Sequence, residues 1–398
     1  MGTNVLAQTL AVTAMTLRAA RERLGSSMVS IIGIAGVVMI FVGVLSISEG
    51  FRKTLELAGS DRVAVVLRGG TTSELASSFT PEQTEIIASA PGVERQNESG
   101  PVVSAELFTA VDQPKRTTGT PANAPLRGIG PAGTRTREHF RLVAGRMFET
   151  GRNEVIVGRG AAGTLRGLDL GTTLKWGNNT WKVVGIFTDG GSVAESEIWT
   201  DSRVLQSAYA LGGTFQTVRA RLASPGDFKQ FKDRLTADPR LNVTVLTEKQ
   251  FYAEQSSTLT ALLRSAGTIL GLLMGVGAVF GAVNTMYSAV AARTSEIATL
   301  RALGFGGVPV LVSVMTESAL LGLVGGVVGA AIAYVCFDGF QTSTLNYASF
   351  SQVSFAFSVT PALLVTAIGY ALLLGLAGGL LPALHAVRQP VVEGLRAT

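Results

Sequence analysis

Glu317 stands alone as a formal charge within the run Val308–Phe337, which is otherwise long and apolar enough to lie in lipid. A carboxylate there must be paired or protonated, because an isolated charge in hydrocarbon is expensive. It lies about nine residues in, roughly 14 Å at about 1.5 Å per residue. In the preceding apolar run, Asn284 stands eight residues before Ala292, about 12 Å from the same edge. This predicts a hydrogen bond between Asn284 and Glu317, with Thr285 and Thr316 as secondary partners, joining two helices rather than relaying protons. Other chemistry-bearing residues are sparse. His139 and His385 are far apart, Cys336 is the single cysteine, and no His/Cys cluster exists, so no metal centre is expected. No G-x-S-x-G or H-E-x-x-H run occurs, and Glu195 and Glu197 read as solvated. The chain reads as non-catalytic and binds no cofactor of its own.

A second constellation lies between two apolar runs, at residues 293–307. Thr294 or Ser295 suits a helix cap, Glu296 falls in the first turn where the helix dipole favours an acid, and Gly304, Gly306 and Gly307 end the helix. One face carries Ile297, Leu300 and Leu303, with Ala298 and Ala302 beside it and Arg301 near the end. Spacing alone leaves open whether this face docks into another protein or rests on headgroups or on the chain's own helices.

These residues must be positioned by membrane spans. Of 398 residues, 47% are apolar and 15% charged, and the apolar excess is concentrated near the two ends. Met28–Ser48, Ser265–Ala292, Val308–Phe337 and Phe357–Leu384 are each long enough to cross the hydrocarbon core. Residues 338–356 are polar and read as a loop. Arg18, Arg21, Arg23, Arg293, Arg301, Arg388 and Arg396 flank the spans on one side, against Glu22, Glu296 and Glu393, whereas the loop between spans three and four has no Lys or Arg. The positive-inside rule therefore puts both termini, residues 1–27 and 385–398, and the 293–307 loop in the cytosol. Those segments carry most of the formal charge of +5, which removes the main argument for nucleic-acid binding. Residues 1–27 place Val5, Leu6, Leu10, Val12, Leu17 and Leu24 on one side of a helix, as in an interfacial helix on the inner leaflet.

Residues 49–264 read as a large extracytoplasmic α+β domain. Val63–Leu67, Val102–Val111, Glu154–Val157, Thr180–Ile186, Thr217–Leu222 and Val243–Leu246 are strand-like, and Pro81–Ala90, Asp201–Ala210 and Pro225–Ala237 are helix-like. Their order suggests a split βαβ part at 49–125 and 214–264, with a β-rich insertion at 126–213 entered through a flexible Gly/Pro-punctuated stretch, Lys115–Gly133. Gly267, Gly271 and Gly275 form a small-residue ridge on span two suited to close helix packing.

The run Arg293-Thr-Ser-Glu-Ile-Ala-Thr-Leu-Arg-Ala-Leu-Gly-Phe305, followed by Thr316-Glu-Ser-Ala-Leu-Leu-Gly-Leu-Val-Gly-Gly-Val-Val-Gly329, resembles the signature of FtsX/MacB-type ABC transporter permeases. Leu381-Pro-Ala-Leu-His-Ala-Val-Arg388 and Pro390-Val-Val-Glu-Gly-Leu-Arg396 are similar to that family's closing motif. Gly145-Arg-Met-Phe148, Asn153-Glu-Val-Ile-Val-Gly158, Val183-Val-Gly-Ile-Phe187 and Glu195-Ser-Glu-Ile-Trp199 resemble its MacB-like periplasmic core domain. The resemblance implies a four-span inner-membrane permease in which Ser295, Glu296, Ile297, Ala298, Leu300, Arg301, Leu303 and Gly304 form a coupling helix seated in a cytosolic ABC ATPase dimer. It also implies a second permease copy, with Gly267, Gly271 and Gly275 packing at the dimer interface, and ATP with Mg on the partner ATPase. No G-K dipeptide occurs, so no Walker A loop can form, and the ATPase is expected on a separate chain. The expected role is ATP-driven export or extraction from the periplasm or outer leaflet, with a periplasmic membrane-fusion adaptor and an outer-membrane channel as further partners. The alternative is an FtsX-like regulatory scaffold that activates a cell-wall hydrolase.

Overall fold

The computed structural model describes residues 8–9, 12–13, 24–96, 100–346 and 351–392. Its helices are α1 (Leu24–Leu57), α2 (Pro81–Ser89), α3 (Arg159–Thr164), α4 (Ser202–Ala208), α5 (Phe228–Thr236), α6 (Glu248–Ala291), α7 (Thr294–Ala302), α8 (Gly307–Phe337) and α9 (Pro361–Arg388). Two compact units result: an α/β unit of Gly50–Ala261 with Gln341–Phe357, and a helical unit of Met1–Glu49, Leu262–Phe340 and Ser358–Thr398. The interfacial helix expected over 1–27 falls mostly outside the described residues.

In the α/β unit, β1 (Val63–Arg68) leads through α2 to the hairpin β2 (Arg95–Gln96) and β3 (Gly100–Pro101), then to β4 (Val103–Pro114) and β5 (Pro121–Ile129). There follow β6 (Phe140–Gly145), β7 (Glu154–Gly158), β8 (Thr173–Trp176), β9 (Asn179–Asp189), β10 (Ile198–Asp201), β11 (Thr217–Arg221) and β12 (Val243–Thr247). The main sheet runs β12-β1-β11-β4-β5-β10-β7-β9-β6, with β8 on β9. Its first four strands are mutually antiparallel, and with α2 and α5 they make the split βαβ arrangement. Ala64, Val66, Val218 and Val245 bury one sheet face against Ile87 of α2 and Phe231 and Leu235 of α5. Local chemistry sets the helix starts. Thr80 and Gln83 close a capping box before Pro81, and the Asp201 side chain accepts the Arg203 amide at 2.8 Å. A second core gathers Val155, Val157, Trp181, Val183 and Ile198 of the far strands with Leu205 of α4.

Three expectations are corrected here. The second part of the sheet begins inside β4, whose residues 103–106 pair with β11 and 107–114 with β5, so the boundary falls before residue 126. Lys115–Gly133 is accordingly a turn, strand β5 and a second turn, not a loose connection; Pro121 opens the strand, Pro125 lies within it opposite Ala110, and Pro131 follows it. The polar stretch 338–356 holds a hairpin, β13 (Gln341–Asn346) with β14 (Ser351–Ala356), whose alternation of Val353 and Phe355 with polar neighbours is a strand pattern. This hairpin belongs to the α/β unit: the Ser354 amide donates to Ser196 Oγ at 2.8 Å, and Asn346 Nδ2 donates to Gln255 Oε1 at 3.1 Å.

Glu197, read as solvated, is instead part of a buried ionic network at the junction of the two sheet halves. Arg127 of β5 gives Glu197 two hydrogen bonds of 2.8 Å, reaches both oxygens of Glu74 at 2.9 Å, and contacts Glu106 of β4 at 3.1 Å. Arg137 chelates Glu106 at 2.8 and 3.0 Å. Arg219 of β11 bonds Glu248, in the first turn of α6, and the Tyr252 hydroxyl at 3.2 Å. The planar five-donor guanidinium lets one side chain hold several carboxylates, which a lysine could not do in this geometry. Burial raises the Glu106 carboxyl, but the guanidinium groups of Arg137, Arg219 and Arg127 outweigh it and hold the group at about 2.

Among the described residues, four helices are long and apolar enough to cross a membrane: Met28–Leu57, Glu248–Ala291, Gly307–Phe337 and Pro361–Arg388. They extend beyond or shift from the charge-free runs, because helical hydrogen bonding continues past the first charged residue. Span four starts at Pro361 rather than 357, capped by Thr360 with proline at the first helical position. Spans three and four pack closest. A Cβ on Gly322 would meet Ala371 O at 2.7 Å, one on Gly375 would meet Ser318 O at 2.6 Å, and Ser318 Oγ donates to Gly375 O at 2.7 Å.

The low Glu106 value fixes the sign of an acid effect: the carboxylate contributes stability above its unfolded value of 4.5 and loses it as pH falls towards about 2. Trp176, Trp181 and Trp199, the three tryptophans, all lie in this unit and report its unfolding. Denaturant titration of the full chain followed by their fluorescence should show stability falling through that window. Glu106→Gln should be less stable at neutral pH and have a flatter acid limb; an unchanged acid limb contradicts the assignment.

Candidate functional site

Helix α7, nine residues long, is fastened at both ends by arginine. At its start, Arg293 is its N-cap residue, and Nη2 donates to Glu317 Oε1 of α8 at 2.8 Å, with both side chains buried. The cap hydroxyls expected at Thr294 or Ser295 are not used so: Thr294 Oγ1 donates back to Ala291 O at 2.9 Å, and Ile297 N donates to Arg293 O at 2.9 Å. At its end, Arg301 Nη1 donates to Val387 O at 2.8 Å and Gln389 O at 2.9 Å. These are terminal carbonyls of α9, which lack intrahelical donors and carry the negative end of the helix dipole.

The stop is a Schellman motif. Gly304 takes φ +92°, Phe305 N donates to Leu300 O at 3.1 Å, and Gly304 N donates to Arg301 O at 3.1 Å. A residue with a Cβ is strained at that φ, so Gly304 fixes where the chain turns from α7 into α8.

The exposed and buried sides of α7 differ from the face expected from spacing. Ile297 and Ala298 are buried, and Ile297 packs with Met286 and Val290 of α6, Val310 and Val314 of α8, and Ala383 and Ala386 of α9. Leu303 is 73% exposed, Leu300 and Ser295 are half-buried, and Glu296 is exposed. Thus α7 rests one edge on its own chain and presents Leu303 outward, with Leu300 half-buried.

Glu317 has the paired carboxylate that its depth demands, but its partner is Arg293, not Asn284. Asn284 is exposed; the secondary candidates bond within their own helices, Thr285 Oγ1 to Gly281 O at 3.0 Å and Thr316 Oγ1 to Val312 O at 2.7 Å. Helical phase explains the exchange. Ala282, Met286 and Val290 are the buried stripe of α6, Arg293 continues it, and Asn284 lies about 200° away from Ala282 and Met286 at about 100° per residue. That stripe was legible in the sequence, as was the reach of an arginine stem from a helix end into apolar surroundings.

Gly267, Gly271 and Gly275 are also reassigned. All three are buried within this chain: a Cβ on Gly267 would meet Leu45 at 3.0 Å, one on Gly271 would meet Phe41 at 2.7 Å, and one on Gly275 would strike the Tyr370 hydroxyl. Tyr370 Oη donates to Gly271 O at 2.7 Å. The ridge therefore packs α6 on α1 and α9 and is not free to meet another copy.

Removing one member of the buried pair leaves the other charged and unpaired, a loss of about 3–5 kcal/mol, whereas apolar replacement of both is often nearly neutral. Arg293→Met and Glu317→Leu should each lower the unfolding midpoint of the detergent-solubilised chain, and the double variant should recover most of it. Additive losses in the double variant would rule out a pair that matters.

Residues 27–238 match the MacB-like periplasmic core domain, and residues 268–391 match the FtsX-like permease C-terminal domain. The chain is 24% identical over 412 residues to the macrolide export ATP-binding/permease protein MacB of Bdellovibrio bacteriovorus, covering 96% of this chain and 60% of that protein. It is 24% identical over 273 residues to an uncharacterized ABC transporter permease of Methanocaldococcus jannaschii, covering 65% of this chain and 66% of that one. It thus spans less than two thirds of the first relative's length. Among solved structures, the periplasmic region of MacB from Actinobacillus actinomycetemcomitans is 11% identical with a TM-score of 0.38, over 51% of this chain and 95% of that one. With the two domain matches together covering most of its length, the chain belongs to the MacB/FtsX-type family of ABC transporter permeases: a membrane protein with four transmembrane helices and a MacB-like periplasmic core domain between the first two.

Proposed function

We propose that this chain is the non-catalytic membrane subunit of an ATP-driven machine that exports or extracts a substrate from the periplasm or outer leaflet. In this reading α7 is the coupling helix, seated in a cytosolic ABC ATPase dimer that binds ATP and Mg. The observation that carries it is the two-ended attachment of α7: Arg293 ties it to Glu317 in span three and Arg301 ties it to the end of span four, while Leu303 faces outward. A push on α7 then displaces spans rather than a slack loop. The arginine bias of the short loops supports cytosolic termini and a cytosolic α7. The spans carry no row of charged side chains suited to a hydrophilic path, which favours transmission of force over conduction of solute. A second copy of the permease, a membrane-fusion adaptor and an outer-membrane channel complete the proposed assembly.

Leu303→Asp places a charge on the outward face without touching the internal pack. Copurification with the ATPase should weaken by about 2 kcal/mol or more, roughly thirtyfold, as for a central apolar contact. Membrane insertion and thermal stability should stay at wild-type values. Full ATPase association in this variant contradicts the seating of α7.

A further inference from the structure

A cavity of about 600 Å³ lies between Val12 near the N-terminus, the C-terminal end of α6, helix α7 and the first three turns of α8. That volume falls within the range of small-molecule sites, about 300–1,000 Å³. Its walls are mostly aliphatic, including Val290, Ile297, Leu300, Val310 and Val314, and the buried Arg293–Glu317 pair lines it. The Arg293 Nε–H has no acceptor among the described residues.

Three features narrow the occupant. Eight of the fourteen lining residues are aliphatic, so most of the wall offers water no hydrogen bond. An anion gains little from Arg293, whose charge is already met by Glu317. Beside the cavity, Val308 in the first turn of span three is 61% exposed, so apolar surface lies at the end of that span, where it meets the acyl chains. We infer that this cavity takes one acyl chain of a phospholipid from the adjoining leaflet, with an ester carbonyl directed to the guanidinium of Arg293. The lipid fills the space between the coupling helix and spans two and three, so it acts as a wedge that sets how closely α7 sits on them. The inference concerns the cavity alone and does not depend on the ATPase reading.

The test uses the full chain in vesicles of phosphatidylethanolamine and phosphatidylglycerol carrying a trace of diazirine-acyl phosphatidylglycerol. After illumination, peptides from 289–317 should carry about tenfold more label than the exposed stretch 269–280 of α6, the factor that corresponds to 1.4 kcal/mol. Two substitutions fill the cavity from different walls, Ala289→Trp on α6 and Thr299→Trp on α7. Each should remove that excess and leave labelling of 269–280 unchanged. Equal labelling of both stretches in the wild type, or an excess that survives in both folded variants, overturns the assignment. Since the readout is lipid label without ATPase present, it fails or succeeds separately from the proposed function.

Discussion

A single ion pair set in apolar surroundings governs the arrangement of this permease's membrane unit. Arg293 and Glu317 are both buried, and neither charge is tolerable there without the other. Because Arg293 ends span two and caps α7, while Glu317 lies well inside span three, satisfying that electrostatic demand fixes three elements at once. Arg301 repeats the device at the other end of α7 by meeting carbonyls that span four leaves unpaired. Apolar packing of Ile297 adds area, but it is not directional; the two arginines supply register.

The α/β unit uses the same chemistry for a different joint. Arg127, Arg137 and Arg219 hold Glu74, Glu106, Glu197 and Glu248 where the two halves of the sheet share strand β4. Glu248 opens α6, so the first turn of the helix that becomes span two is itself held in this network. In both units, then, ion pairs excluded from water mark the places where separate elements must keep a fixed relation.

Much of this was readable from residue order. Runs without charge gave the four spans, and β-branched alternation with Pro81 and Pro225 gave most of the split βαβ elements within a few residues. The family motifs were equally plain in 293–305 and 381–388. Partner choice was less so. Depth along a helix placed Asn284 beside Glu317, yet rotation about the helix axis decides contact, and rotation follows the Ala282, Met286, Val290 stripe. The glycine ridge of span two was visible, but a ridge does not say which helix it receives; Phe41 and Tyr370 of the same chain fill it. Glu197 looked solvated because its counter-charge, Arg127, lies 70 positions away in sequence; only the Trp199 indole, which donates to it at 2.7 Å, is a near neighbour. The hairpin β13–β14 was hidden by its serines, threonines and glutamines, which suit a half-exposed strand as well as a loop.

Transmission through the Arg293–Glu317 pair requires that α7 and span three move together. A spin-label pair on Thr299 of α7 and Leu320 of α8, with labelled chains diluted into unlabelled copies of the assembled complex, measures this through pulsed dipolar spectroscopy with and without ATP. A narrow distance distribution that stays in place on nucleotide binding, and broadens when Arg293 is replaced by glutamine, is the outcome expected. A distribution that is broad from the start, or that shifts with ATP while span three stays still, would show that α7 swings independently and that the ion pair does not carry the coupling.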